Sequence, residues 1–367
     1  MREEIFYWLG LSLVPGVGSI LYKRLLERFN HPMAAFQAST EELLGVEGMV
    51  QRVVEAIHRG PFEKAIEREF YLLEKAKGTL LTLHGEGYPR RLKAIYDPPP
   101  LLYVRGAVKA EDDFAIAIVG SRKTSTYGRE ITDKLSQDLA RQGMTVVSGM
   151  ARGIDSVAHQ GALSANGRTL AVLGCGVDVI YPPENRRLYD EIIAHGAVLS
   201  EFPMGSPPEG SHFPKRNRVI SGLSLGVVVV QAGQKSGSLI TASYALEQGR
   251  DVFAVPGNVG IHGSSGTNQL IKDGAKLVAT SADILEEVIA QWKREKDEDG
   301  AQEKKVTLVL SPDEKVVYDH LEEDPLHIDP LIRECQLDPG KVLSLLLGLE
   351  LRGLVVQWPG KCFSKKV

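Results

Sequence analysis

Phe114-Ala115-Ile116-Ala117-Ile118-Val119-Gly120-Ser121-Arg122-Lys123 is the stretch whose reading decides the fold. Its apolar run reads as a β-strand, and the small and basic residues after it form a turn leading into a helix. Similar apolar segments recur downstream at 145–148, 169–173, 197–200, 226–230, 251–255 and 276–278, each separated by a helix-like segment. That alternation predicts an α/β fold, an extended Rossmann-like and mostly parallel sheet. Ligands of such sheets gather at the carboxyl ends of the strands. Several strands here end in small or charged residues: Gly120-Ser121-Arg122, Ser148-Gly149, Ser200-Glu201 and Gln231-Ala232-Gly233. The polar chemistry is thereby expected along one edge.

The chain is 367 residues long, which implies two or three domains. A hydrophobic fraction of 43% with 25% charged residues is that of a globular protein, and the formal net charge of -4 argues against a uniformly basic coat for nucleic acid. Any polyanion site must be a local patch. Cys175, Cys335 and Cys362 lie far apart and match no zinc or redox spacing, so a reducing compartment and no metal are expected. With no leader-like segment and no run of about twenty apolar residues, the expected location is cytoplasmic, without a membrane span.

Outside the alternating region the sequence changes character. Residues 1–75 carry apolar positions at helical spacing, and Leu13-Val14-Pro15-Gly16-Val17-Gly18 has the form of a helix-hairpin-helix turn, where glycines bring backbone N–H groups close to a phosphate. Leu44-Gly45-Val46-Glu47-Gly48-Met49 reads as a degenerate copy with an acid in the phosphate's place. Such pairs also serve as packing or protein-contact modules. The Rossmann-like domain is assigned to 76–292, opening on a connector at 78–110 in which Gly85, Gly87, Pro89 and Pro98-Pro99-Pro100 exclude a long helix. Residues 293–310 read as a charged linker. Residues 311–367 follow the order helix, helix, turn, helix, hairpin, a winged helix. Its third helix offers only Lys341 and Arg352 as cations, beside Glu350, which favours protein contact over groove binding.

The middle domain supplies the candidate site. Gly120, Ser121 and Arg122 place a close-approach glycine, a hydroxyl and a guanidinium at a helix entrance. Ser148-Gly149-Met150-Ala151-Arg152-Gly153-Ile154-Asp155 ends a second strand, with Asp155 read as a helix cap and His159 as structural. His212-Phe213-Pro214-Lys215-Arg216-Asn217-Arg218 crowds three cations, an aromatic and an amide together, and Ser236-Gly237-Ser238 forms a further anion cradle. Phe213 is the candidate to stack on a base or else to pack in the core, and Arg216 or Arg218 is placed to pair with Glu201. Gly-x-Gly-x-x-Gly does not follow the first strand, and no Gly-x-x-x-x-Gly-Lys-[Ser/Thr] occurs, so neither a dinucleotide nor ATP is implied and no cofactor is expected.

These motifs, with Tyr181-Pro182-Pro183-Glu184-Asn185, Ser200-Glu201-Phe202-Pro203 and Val255-Pro256-Gly257, resemble the DprA (Smf) family, which binds single-stranded DNA during natural transformation and recombination. The flanks resemble the family's SAM-like N-terminal domain and C-terminal winged helix. The resemblance implies a basic pocket for single-stranded DNA built from Gly120, Ser121, Arg122, Phe213, Lys215, Arg216, Asn217 and Arg218. To these the residue reading adds Arg152, Ser236, Gly237 and Ser238. The resemblance further implies a homodimer formed through this fold, delivery of the strand to the recombinase RecA, and no catalytic residues. Gln231 departs from the family, which commonly has Glu there. The competing reading is an enzyme on nucleoside monophosphates, similar to the lysine-decarboxylase-like phosphoribohydrolases, whose Pro-Gly-Gly-x-Gly-Thr-x-x-Glu motif is absent here.

Overall fold

The computed structural model describes residues 2–60, 62–289, 312–322, 325–335, 337–351, 355–358 and 360–365. The charged linker expected at 293–310 lies outside the described residues. The chain divides into one compact unit spanning Met1–Lys293 and a second spanning Arg294–Val367.

The first unit is organised by a nine-stranded sheet of order β1-β2-β6-β5-β4-β3-β7-β8-β9. Strands β3 (Ala115–Val119), β4 (Thr145–Ser148), β5 (Thr169–Val172), β6 (Ala197–Ser200), β7 (Gly226–Val229), β8 (Asp251–Ala254) and β9 (Lys276–Leu277) lie where the apolar segments predict them. Every pairing among these is parallel. The chain leaves β3 in one direction to build β4, β5 and β6, then crosses back to lay β7 on β3's other flank. The strand order therefore reverses between β3 and β7, and reversal opens a crevice at their carboxyl ends. Residues of β3, β4 and β7 are buried throughout because helices cover both faces.

The connector reading of 78–110 needs correction. Prolines and glycines do exclude a long helix there, but β1 (Thr79–Thr82) and β2 (Leu101–Gly106) join the sheet, β1 antiparallel to β2 and β2 antiparallel to β6. Pro98-Pro99-Pro100 delivers the chain directly into β2, whose Leu101–Val104 are buried. Punctuation by proline and glycine obscures two short strands.

Helices α1 (Arg2–Ser12), α2 (Ser19–Phe29), α3 (Pro32–Gln37), α4 (Thr40–Leu44), α5 (Gln51–Arg59) and α6 (Glu63–Lys75) form the N-terminal segment. Their apolar faces continue into the sheet's own core, since Trp8, Leu25 and Ile57 belong to one buried cluster with Leu102, Leu199 and Val229. At the first hairpin turn Gly16 has φ +94°, and a Cβ there would sit 2.8 Å from Val53 Cγ2. Beyond it, Val17, Gly18 and Ser19 line a cavity of about 120 Å³ shared with Pro100, Leu101 and Glu201, so this turn faces the sheet. In the second turn Glu47 pairs with Arg24 of α2 at 3.0 Å. The acid standing where a phosphate would sit thus holds a cation of the same helical segment.

Over the sheet lie α7 (Arg90–Lys93), α8 (Thr126–Arg141), α9 (Ile154–Ser164), α10 (Arg186–His195), α11 (His212–Gly222), α12 (Gly237–Glu247), α13 (Ser265–Lys272) and α14 (281–289). The second unit has α15 (Pro312–Asp319), α16 (Ile328–Cys335) and α17 (Pro339–Leu351) around a core of Val317, Leu321, Leu331, Val342 and Leu346. A sheet of order β10-β12-β11, from Leu326–His327, Cys362–Lys365 and Val355–Trp358, completes the winged helix. Among the described residues no helix is long and apolar enough to cross a membrane. None of their His, Cys, Asp and Glu groups is arranged to hold a metal ion.

Candidate nucleic-acid interface

A cleft of about 340 Å³ opens at the point of strand reversal. One wall is the turn after β3, with Gly120, Ser121 and Arg122; a second is α11, with Phe213, Arg216 and Asn217; a third is the start of α12, with Ser236, Gly237 and Ser238. Segments separated by more than a hundred residues meet there because each follows or precedes a strand of one parallel sheet.

The β3 turn is held rigidly. Ser121 N–H donates to Gln231 O at 2.7 Å, and Ile154 N–H donates to Ser121 O at 3.1 Å. A Cβ on Gly120 would lie 2.7 Å from Ile154 Cγ1, and one on Gly153, whose φ is +80°, would lie 2.3 Å from Ser121 O. Only glycine allows the β3 and β4 turns to approach this closely. Gln231, the departure from the family pattern, accepts through Oε1 from Ser125 N–H at 3.0 Å and Thr124 Oγ1 at 3.1 Å, so its amide fixes this loop. Arg122 remains exposed, with its guanidinium 5.2 Å from the centre of the Phe213 ring. Phe213 is half-buried, and Tyr181 lies on it with ring centres 5.9 Å apart. A phosphate-seeking cation and a ring able to stack are thus adjacent.

Arg216 and Asn217 build the floor. The Arg216 guanidinium is buried, donating to Gly149 O at 2.7 Å, to Val172 O and to Asn217 Oδ1 at 3.1 Å. A side chain on Gly149 would collide with it. Burial pushes Arg216 below its ordinary pKa, opposed by Asp155. Asp155 is pushed upward by burial, opposed by Arg216 and by hydrogen bonds from the Ala151 and Gly149 backbone. Asn217 Nδ2 donates to Gly237 O at 3.3 Å, tying α11 to the α12 entrance. At that entrance the Ser236 hydroxyl caps Ser238 N–H and lies 2.8 Å from Ser238 Oγ. His159, read as structural, is fully buried beneath this floor, with Nδ1 2.6 Å from Thr169 Oγ1; burial, then Arg216, depresses its pKa to about 3.

Three expected site residues stand apart from this lining. Lys215 is exposed on α11, and Arg152 is exposed and ion-paired with Glu184. Arg218 occupies the interior: its side chain is 5% exposed and bridges Glu201 and Asp97, with Nε 3.1 Å from Asp97 Oδ2 and Nη1 donating to Asp97 O at 2.6 Å. That is the structural pairing with Glu201 foreseen for Arg216 or Arg218, and it answers why three cations crowd one short segment. Helical spacing sends them in different directions. The sequence reading did not include Asp155, Ile220, Ile240 or Thr241 in the cleft. Helical periodicity in α11 and α12 could have flagged Ile220 and Thr241, one turn beyond Arg216 and Gly237.

The comparisons fit this geometry. Residues 79–289 match the DNA recombination-mediator protein A family, and residues 301–361 match the DprA winged helix domain. The chain belongs to the DprA/Smf family. Protein Smf of Synechocystis is 37% identical over the whole of both chains. DNA processing protein A of Streptococcus pneumoniae has 36% identity and a TM-score of 0.67, covering 78% of this chain and 98% of its own. DNA processing protein A of Helicobacter pylori, described for a unique single-stranded DNA binding mode, has 31% identity and a TM-score of 0.53, covering 59% and 97%. The DprA/Smf match spans the cleft and the winged helix.

Proposed function

We propose that this DprA/Smf protein binds and protects single-stranded DNA in the edge cleft and loads RecA onto it during recombination and natural transformation, acting as a homodimer without catalysis. The observation that carries the reading is the convergence of exposed Arg122, the Phe213 ring and the α12 entrance at the strand reversal of a chain with net charge -4. Such a site grips phosphate and stacks a base while the rest of the acidic surface attracts little DNA. Lys215 and Arg152, exposed outside the cleft lining, are the further cations a longer strand would meet, Arg152 after release from Glu184. The family match and the Helicobacter relative support the ligand class, and the recombination-mediator family description supports the RecA step. An apolar patch with Val259 97%, Ile261 51% and Leu277 47% exposed supports pairing of two copies through the Rossmann-like unit.

The test is electrophoretic mobility shift with single- and double-stranded oligonucleotides over a range of salt. Preference for the single strand, weakened by Arg122→Ala and by Lys215→Ala with a shallower salt dependence, is expected. Wild-type affinity in both variants would remove the pocket. For the hydrolase reading, Glu201 is engaged by Arg218 outside the cleft, which leaves Asp155 as the carboxylate lining it among the described residues. Release of free base from a nucleoside monophosphate, lost in Asp155→Asn, would overturn the non-enzymatic reading.

A further inference from the structure

Beyond the cleft, the carboxyl edge of the sheet carries a second exposed ring. Tyr127 is 52% exposed at the start of α8, and its hydroxyl donates to Pro256 O at 3.2 Å. Residues on both sides of it are fixed: Ser125 N–H donates to Gln231 Oε1 at 3.0 Å, and Ser125 Oγ accepts from Gly128 N–H at 3.1 Å. The ring is therefore held in place with a large area facing solvent.

Its position relative to Phe213 follows from sheet order. Phe213 packs against Gly174, just past β5, and Tyr127 is bonded to Pro256, just past β8. Between β5 and β8 lie β4, β3 and β7, giving four steps of about 4.8 Å, or roughly 19 Å along the edge. Arg122 and Lys123 lie exposed after β3 and Lys235 after β7, so cations fill the interval between the rings. A strand stacked at ~3.4 Å per nucleotide would cover that interval with about six residues, and an extended one with fewer. We infer that Tyr127 is a second stacking platform for single-stranded DNA, so that the strand runs across the ends of β5, β4, β3, β7 and β8 from Phe213 to Tyr127. The inference rests on the single-strand reading of the cleft and adds to it a direction, a length and a residue. Because the hydroxyl anchor already fixes the ring, little further ordering opposes stacking there.

Fluorescence anisotropy with a labelled oligothymidylate trinucleotide and dodecanucleotide at fixed salt tests this. Tyr127→Ala should weaken dodecanucleotide binding by roughly tenfold, within the range for loss of one stacked base. It should leave the trinucleotide within about twofold of wild type, because the shorter strand is held by the cleft alone. The salt dependence should not change, since no charge is removed. Tyr127→Phe, which keeps the ring, should bind the dodecanucleotide nearly as wild type does. Wild-type binding of the dodecanucleotide by Tyr127→Ala, or an equal loss on both lengths, overturns the inference. So does a shift of Tyr127→Ala from dimer to monomer in sedimentation, which would assign the ring to the neighbouring apolar patch. If Arg122→Ala loses both oligonucleotides while Tyr127→Ala loses neither, the cleft reading stands and only the second platform falls. If the wild-type protein binds neither length, the single-strand reading itself fails.

Discussion

Replacing Arg218 by alanine should destabilise the fold while leaving the electrostatics of DNA binding nearly untouched. The guanidinium is 5% exposed and faces Glu201, itself 14% exposed, and Asp97, 28% exposed. Glu201 Oε1 is buried without a hydrogen-bond partner, and burial already pushes this carboxyl upward, opposed chiefly by Arg218. Removing the arginine leaves a buried carboxylate with neither oxygen satisfied. Breaking a buried pair from one side costs about 3–5 kcal/mol. At about 2 °C per kcal/mol for a large unit, the midpoint of thermal unfolding should fall by roughly 6–10 °C. Thermal unfolding followed by circular dichroism and urea titration at neutral pH would measure this. The double variant Arg218→Met with Glu201→Leu should recover much of the loss, because it removes the buried Glu201 carboxylate along with its partner and leaves unpaired only Asp97, which at 28% exposed reaches water. Mobility shifts on the folded fraction should show a salt slope equal to wild type, since Arg218 does not line the cleft. An Arg218→Ala protein that unfolds as wild type does and binds DNA with a flattened salt slope would refute the argument and return Arg218 to the phosphate-contacting set.

The exposed cations should behave oppositely. Arg122→Ala should leave unfolding unchanged within about 0.5 kcal/mol and reduce the salt slope by ~0.7 for each phosphate it no longer neutralises, measured by binding titrations across salt concentrations. Gly153→Ala, which forces a side chain at φ +80° into Ser121 O, should cost at least ~1–3 kcal/mol and weaken DNA binding by displacing the β3 turn, read by urea unfolding and mobility shift. His159 is held neutral down to about pH 3, below its unfolded value of 6.5. Its contribution is complete above pH 6.5 and declines by ~1.4 kcal/mol per pH unit as pH falls toward 3; His159→Gln should show a correspondingly shallower acid dependence in unfolding titrations. Leu277→Arg, which puts a charge into the patch with Val259 and Ile261, should shift the protein to monomer in analytical ultracentrifugation.

Hydrophobic patterning was enough to place the parallel strands, because a short apolar run bounded by glycine and polar residues has few other stable uses in a chain of this composition. The sequence also marked the turns that build the cleft, since Gly120, Ser121, Arg122 and Ser236–Ser238 each sit at a strand's exit or a helix's entrance. It did not reveal β1 and β2, whose flanking prolines and glycines read as loop and which join the sheet only because β2 pairs with β6, far away in the chain, with β1 added beside β2. Nor did it sort the cations of the His212–Arg218 segment. One helix carries Lys215 to solvent, Arg216 to the cleft floor and Arg218 to an interior pair, and only the positions of Gly149, Val172, Asp97 and Glu201 decide between those roles. Local sequence determines which elements form and where charge accumulates. Tertiary structure alone decides which charges face the cleft, because a guanidinium's partner is set by the strand brought beside it, and strand order is a property of the whole sheet.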